Sequence, residues 1–149
     1  MHEWALSQDC DTGVRALSTN NDFLRRRLRH LNVTLDQSAR AVWVEFKYAT
    51  ERPCCSPELL KELQTVQHTI RQTAQTGYHQ NLSDRLLFQV LASSDTRAFN
   101  LGGDLNYFIE LIEAGDRENL LGYAKTCIDI QFSSVTHYDI PFTTISLVQ

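Results

Sequence analysis

The chain of 149 residues fits one domain, and its 42% hydrophobic and 21% charged residues are typical of a soluble globular protein. Its net charge of −4 argues against general nucleic-acid binding. No apolar run approaches the roughly 20 residues that a membrane span needs, and the N-terminus lacks the pattern of a secretory signal. Four cysteines without Cys-x-x-Cys spacing favour reduced thiols in a cytoplasmic protein.

The first third of the chain predicts an extension and then a hairpin. Residues 1–22 are polar and aperiodic, so we expect an N-terminal extension, partly mobile, followed by a domain over residues 23–149. Alternating apolar and polar residues over 31–36 and 41–48 predict two strands joined by a turn. Just before them is a group of four arginines, which suits either a solvated surface or a contact to phosphates of CoA or to an acidic carrier protein: Arg25, Arg26, Arg27 and Arg29.

A long helix and a third strand are predicted next. Ser56 is a good N-cap and Pro57 suits the first helical position. Apolar residues at spacings of three and four follow on one helical face, and the pattern fades over residues 74–77, so we expect a loop over 78–84. The continuous apolar run over 86–92 predicts a strand that is covered on both faces.

Two helices and a last strand complete the prediction. The helices cover residues 104–113 and 116–132, and Asp104 and Asp116 are their expected N-caps. The apolar, β-branched run over 143–149 predicts a buried strand. The resulting order of elements, ββαβααβ, indicates an α/β fold.

The segment Ala98–Leu105 places two adjacent glycines between a predicted strand and a predicted helix. Glycine lets backbone N–H groups approach a ligand without a Cβ in the way. The positive end of the helix dipole lies beside them, so the corner suits a developing oxyanion. A Gly-Gly pair before a helix is also common in simple tight turns.

This segment resembles the oxyanion-hole segment of the crotonase (enoyl-CoA hydratase/isomerase) superfamily. The likeness extends over residues 31–149. A longer pattern, which includes Phe108, Gly115-Asp116-Arg117, Tyr123-Ala124 and Cys127, is similar to one branch, the synthases of diffusible signal factor. Those enzymes make cis-2-unsaturated fatty acid signals from acyl carrier protein thioesters.

The resemblance implies a crotonase-like ββα spiral, of which this chain would be the N-terminal part. It implies that the N–H of Gly103 is one of two oxyanion donors, and that Leu101, Gly102 and Asp104 contact the substrate. The implied activity is dehydration and thioester hydrolysis of a 3-hydroxyacyl carrier protein. The implied substrate is an acyl carrier protein or CoA thioester, without a further cofactor, on a homo-oligomeric enzyme (a trimer or hexamer).

The chain departs from the superfamily after its last predicted strand. There the superfamily has a glycine-rich turn with the second oxyanion N–H, and then a helix with a catalytic glutamate. Neither is present before Gln149. We therefore expect an N-terminal portion of a longer enzyme, or one of two chains that together form it, with catalytic glutamates outside this sequence.

Two other functions remain open: an enoyl-CoA hydratase or isomerase, and a non-catalytic binding module if the chain ends at Gln149. Glu110 and Glu113 share a helical face, but exposed helix acids are the simpler interpretation. Cys55 and Cys127 are possible nucleophiles, although small buried hydrophobes are commoner.

Two further patterns have a plain structural interpretation beside a functional one. The histidines are scattered without metal-ligand spacing, so no metal site is expected. The apolar residues after the glycine pair could line an acyl tunnel, but such helical faces more often belong to a core: Phe108, Ile109, Leu111 and Ile112.

Overall fold

The structure, a computed structural model, describes residues 28–48, 52–80 and 85–148. Three sequence predictions lie outside these ranges: the extension over 1–22, the contact by Arg25, Arg26 and Arg27, and the part of the predicted loop over 81–84.

Within these described ranges, four strands form one sheet in the order β1-β2-β3-β4. Strands β1 (Leu31–Asp36) and β2 (Ala41–Phe46) pair antiparallel, which confirms the predicted hairpin. β3 (Phe88–Ser93) pairs parallel to β2, and β4 (Thr143–Ser146) pairs parallel to β3. The mixed α/β class expected from the sequence is therefore confirmed.

The predicted long helix is present, but it ends later than predicted. Helix α1 spans Pro57–Gln80, and the Ser56 hydroxyl caps it by accepting the N–H of Leu59 at 3.2 Å. The predicted end at 74–77 and the loop from Tyr78 are therefore wrong. Gly77 lies inside the helix because one interior glycine destabilises a helix by only about 1 kcal/mol relative to alanine.

Two more helices follow the sheet's third strand. Helix α2 spans Leu105–Glu113, and helix α3 spans Arg117–Val135, three residues further than predicted. Asp104 caps α2, and the Asp116 carboxylate caps α3 by accepting the N–H of Asn119 at 3.1 Å. Both predicted caps are confirmed. A short 3₁₀ turn, His137–Asp139, leads from α3 toward β4.

The core lies between the sheet and the apolar face of α1. Val42 and Val44 of β2 and Ile70 of α1 are fully buried within it. On β3, the adjacent residues Gln89 and Val90 are both buried. Since neighbouring side chains of a strand point to opposite faces, the centre of β3 is covered on both sides, as predicted.

The prediction of a buried last strand is wrong. Ile145 is 43% exposed, and the apolar residues that follow, Leu147 and Val148, are also exposed. β4 lies at the edge of the sheet and pairs only with β3 within the part of the chain that the structure describes. Its apolar composition therefore does not correspond to burial here. Across the described ranges, no helix is long and apolar enough to span a lipid bilayer.

Candidate active site

The glycine corner, Asn100–Asp104, lies between β3 and α2 and runs beside a second extended segment, residues 53–55. Leu101 donates its N–H to the carbonyl of Pro53 at 2.7 Å, and Cys55 donates its N–H to the carbonyl of Gly102 at 2.8 Å. Cys55 and Gly103 form a parallel bridge. These contacts hold the corner against the chain that leads into α1.

The Gly102–Gly103 peptide is oriented by this pairing. In a trans peptide, the C=O of one residue and the N–H of the next point in opposite directions. The carbonyl of Gly102 points to Cys55, so the N–H of Gly103 points away from the 53–55 segment. Among the described residues, no acceptor takes a hydrogen bond from this N–H.

The backbone N–H group before Gly103 is bound by Asn100. The Asn100 Oδ1 atom accepts the N–H of Gly102 at 2.6 Å and the thiol of Cys55 at 3.4 Å. Its Nδ2 atom donates to the Tyr48 hydroxyl at 3.0 Å, and that hydroxyl donates to the carbonyl of Phe99. The corner is therefore hydrogen-bonded to Tyr48, which lies two residues past the end of β2.

The backbone N–H group after Gly103 is bound by Tyr123 of α3. The Tyr123 hydroxyl accepts the N–H of Asp104 at 2.7 Å and donates to the carbonyl of Cys55 at 2.5 Å. The ring packs edge-on against Tyr107 and Phe108, with centroids 5.2 Å and 5.1 Å away. Burial raises the pKa of Tyr123 well above its ordinary value, so the hydroxyl remains protonated.

Asp104 serves the backbone of the following helix. Its Oδ1 atom accepts the N–H of Asn106 at 3.1 Å and that of Tyr107 at 3.3 Å. The free N–H of Gly103 therefore lies one residue before a capped helix N-terminus, where the helix dipole favours negative charge. The side chain of Asp104 is engaged in the cap.

The two glycines differ in what a side chain would do at each position. Gly102 has φ +88°, a conformation that other residues rarely adopt, while a Cβ built on it would meet nothing within 4 Å. A Cβ on Gly103 would lie 3.4 Å from Phe108 Cε2 and 3.6 Å from the Tyr123 hydroxyl. The first glycine is therefore required by backbone conformation, whereas a Cβ at the second would make ordinary van der Waals contacts with Phe108 and Tyr123.

Burial raises the pKa of the thiols near the corner. This holds for Cys55 and Cys127, and for Cys54, where the nearby Asp104 carboxylate adds to the effect of burial. Each is therefore a neutral thiol at neutral pH, which disfavours a nucleophilic role because the thiolate is the reactive form. All three are free within the described ranges.

The apolar residues that follow the corner divide between core and surface. Leu111 is buried and Phe108 packs on Tyr123, whereas Ile109 and Ile112 are 53% and 62% exposed. Leu101 is 64% exposed. Glu110 and Glu113, which the sequence offered as candidate carboxylates, are exposed on α2. No group of three metal-ligating side chains occurs where the structure describes the chain.

Among the described residues, clefts lie beside α1 and α3. One, of about 420 Å³, lies between α1, α3 and the 3₁₀ turn and is lined by His68, Arg71 and Asp129 among others. The other, of about 370 Å³, lies behind Tyr123 between α1 and α3. Neither is lined by Gly102 or Gly103.

Sequence reasoning did not find the roles of Asn100, Tyr48 and Tyr123. Asn100 had a local signal, because asparagine commonly accepts the N–H two residues further along the chain. Tyr123 had none, since its partner Cys55 is 68 residues away. The candidate residues Leu101, Gly102, Gly103 and Asp104 are adjacent in the corner, and their contact with a substrate stays a prediction.

Comparisons with solved structures place the fold among enoyl-CoA hydratase structures. An enoyl-CoA hydratase from Shewanella pealeana matches 88% of this chain at 19% identity, with a TM-score of 0.62. A Streptomyces coelicolor protein assigned as an enoyl-CoA hydratase matches 95% at 18% identity, with a TM-score of 0.61. A Legionella pneumophila protein assigned to the enoyl-CoA hydratase/isomerase (crotonase) class matches 80% at 16% identity, with a TM-score of 0.58.

These likenesses establish a crotonase-type fold for the described part of the chain. The match covers 43% of the Shewanella protein, 43% of the Streptomyces protein and 40% of the Legionella protein, so the chain spans less than half of each. The expected partial crotonase-like fold is thus confirmed. No family model matches the sequence, and no curated protein matches it.

Proposed function

We propose that this chain forms the acyl-binding part of a crotonase-type enzyme that acts on an acyl thioester. The single observation that carries the proposal is the N–H of Gly103, which points away from the adjoining backbone and donates to no described residue. The N–H groups on both sides of it are bound by Asn100 and Tyr123. A donor held in this way suits the oxygen of a thioester carbonyl as it gains negative charge.

The proposed mechanism begins with the thioester lying along Leu101 and Gly102, and its carbonyl oxygen accepting the N–H of Gly103. As an enolate or a tetrahedral species forms, this hydrogen bond strengthens because the oxygen carries more charge. Removing one such donor typically lowers kcat by about 10²–10³-fold. The second donor and the acid-base glutamates would lie in the remainder of the enzyme, as the resemblance implies.

The finer assignment is a 3-hydroxyacyl carrier protein dehydratase and thioesterase that yields a cis-2-unsaturated fatty acid. It is supported by the sequence pattern from Phe99 to Cys127. The second candidate, an enoyl-CoA hydratase, is favoured by the names of the solved structures that share the fold. The exposed apolar residues Leu101 and Ile109 beside the corner suit an acyl chain in either case.

The binding test uses a hexanoyl-CoA labelled with ¹³C at the thioester carbonyl. We expect the ¹³C signal to move downfield on binding, because a hydrogen bond polarises the carbonyl. An amide-to-ester replacement of the Gly102–Gly103 bond by semisynthesis removes the donor, weakens the Gly102 carbonyl as the acceptor for Cys55, and should abolish that shift. The matched control is the same replacement at Ala114–Gly115, where the lost hydrogen bond to Ile112 ends α2.

The activity test separates the candidates. With the complete protein, release of a free unsaturated acid from 3-hydroxyacyl carrier protein supports the synthase, and hydration of crotonyl-CoA supports the hydratase. Saturable binding of thioesters without turnover of either substrate indicates a binding module and contradicts the enzyme. A hexanoyl-CoA carbonyl signal that is unchanged on adding protein contradicts the proposed site.

A further inference from the structure

The direction of a glycine's N–H is not fixed by the glycine itself. Glycine has a wide choice of φ and ψ, so a donor at Gly103 needs contacts from outside to hold it. The peptide before Gly103 is held through the Gly102 carbonyl, which accepts from Cys55. The peptide after it is held through the Asp104 N–H, which donates to Tyr123.

These two contacts together determine the conformation of Gly103. Because φ and ψ of one residue relate its two flanking peptide planes, fixing both planes fixes both angles. The Tyr123 hydroxyl is central to this arrangement, since it also donates to the carbonyl of Cys55, the residue that holds the first plane. One oxygen atom therefore joins both sides of the corner.

The Tyr123 side chain is itself rigidly placed. It is 6% exposed and packs edge-on against the rings of Tyr107 and Phe108, with interplanar angles of 72° and 80°. Both rings belong to the first turn of α2, the helix that begins at the corner. The Tyr123 hydroxyl and Phe108 lie directly beside Gly103, 3.6 Å and 3.4 Å from where a Cβ on that glycine would be.

From this geometry we propose that Tyr123 is the positioning residue that aims the N–H of Gly103 at the thioester oxygen. The inference rests on the proposed function for its role in turnover, while its structural part concerns only Tyr123 and the corner. Tyr123 does not touch the reacting atoms. Its hydroxyl is engaged by Cys55 and Asp104, so it acts through the backbone.

The first test uses no ligand. In Tyr123→Phe, we expect faster hydrogen exchange of the Asp104 N–H and a lower ¹⁵N order parameter for Gly103 than in the natural protein. Tyr138→Phe is the matched control, because that tyrosine is also buried and donates to Gln89 in a separate part of the core. It should leave the order parameter of Gly103 and the exchange rate of the Asp104 N–H unchanged. If Tyr123→Phe leaves the Gly103 order parameter and the Asp104 exchange rate unaltered, the proposal is overturned.

The second test uses the bound ¹³C-labelled thioester and turnover in the complete protein. Tyr123→Phe should reduce the carbonyl shift and lower kcat by about tenfold to a hundredfold, the effect of a misplaced group, with KM changed less than about threefold. 4-Aminophenylalanine at position 123 keeps a donor and should restore part of the carbonyl shift and part of kcat. Equal loss in Tyr138→Phe would show a general loss of folding and contradict positioning.

The two proposals can fail separately. If the natural protein binds no thioester while Tyr123→Phe still loosens Gly103, the proposed function fails and the structural part of the inference stands. If thioester binding and its carbonyl shift are unaffected by Tyr123→Phe, the function stands and positioning is wrong. Should Tyr123→Phe not fold, 3-fluorotyrosine at 123 keeps the hydroxyl but weakens it as an acceptor. The Asp104 N–H proton signal should then move upfield, and no movement would overturn the inference.

Discussion

The side-chain oxygen of Asn100 and the N–H of Gly102 lie 2.6 Å apart and close a local turn immediately before the glycine pair. The same oxygen accepts the Cys55 thiol, and the amide nitrogen reaches Tyr48. Asn100 thus joins three separate parts of the chain. A side chain with this many partners leaves several polar groups without a hydrogen bond when it is removed.

We predict that Asn100→Ala destabilises the fold by about 1–3 kcal/mol, the usual cost of leaving buried polar partners unsatisfied. Urea unfolding followed by circular dichroism measures this change. Asn106→Ala is the control, since Asn106 lies on the exposed surface of α2 six residues away, and it should alter stability by about 0.5 kcal/mol or less. Equal destabilisation by both variants would contradict a special role for Asn100.

Alanine at two glycines should change stability in opposite directions. Gly102→Ala forces a Cβ onto a residue with φ +88°, so we expect a loss of about 1–3 kcal/mol. Gly122→Ala lies inside α3 with nothing within 4 Å of the new Cβ, so we expect a gain of about 0.5–1 kcal/mol. Thermal unfolding midpoints provide the measurement, and a stabilising Gly102→Ala would show that the corner relaxes to another conformation.

The stability of the fold should fall at alkaline pH, in part because of Tyr138. Burial raises the pKa of Tyr138 to about 12, against 10.0 for an ordinary tyrosine. Between these values the unfolded chain loses the proton and the folded protein keeps it. The stabilisation is therefore complete below pH 10 and is lost as the pH rises toward 12.

Urea unfolding at a series of pH values tests this dependence. Tyr138→Phe should be less stable at pH 7, because its hydrogen bond to Gln89 is lost, but its stability should fall less steeply above pH 10. Phe142→Leu is the control, since Phe142 packs on Tyr138 with centroids 5.6 Å apart and does not titrate. It should lower stability while keeping the natural slope. An unchanged slope in Tyr138→Phe would mean that other groups cause the alkaline loss.

Local patterns predicted much of the fold, because they record interactions between near neighbours. The alternation over 31–36 and the caps at Ser56, Asp104 and Asp116 depend only on residues within a few positions, and all were confirmed. The burial of β4 was predicted wrongly. An apolar composition shows that a strand can be buried, but it does not show whether another part of the protein covers it.

The candidate site was predictable only in part, for the same reason. The glycine pair and the cap at Asp104 are local features, so the sequence indicated where a donor would lie. Which N–H groups are already bound depends on Pro53, Cys55 and Tyr123, which reach the corner from distant parts of the chain. Periodicity and spacing carry no information on such contacts.

The apolar side chains of α2 were interpreted either as core residues or as the lining of an acyl tunnel. Two adjacent residues allow these interpretations to be separated. Leu111 is 8% exposed, whereas its neighbour Ile112 is 62% exposed. If Leu111 is core, Leu111→Ala should destabilise the fold by about 2–5 kcal/mol. Ile112→Ala removes a side chain that is mostly in contact with solvent, so the stability of the protein should change by about 0.5 kcal/mol or less.

Thioester binding then decides what the exposed residues do. If Ile109 and Ile112 contact the acyl chain, replacing both by Gln should weaken binding of hexanoyl-CoA. It should weaken binding of acetyl-CoA less, because the shorter chain buries fewer methylene groups, each of which contributes about 0.8 kcal/mol. Stability should be unchanged in this double variant. Equal weakening of hexanoyl-CoA and acetyl-CoA binding would show that the acyl chain lies elsewhere. Leu111 would then be a core residue with no role in substrate binding.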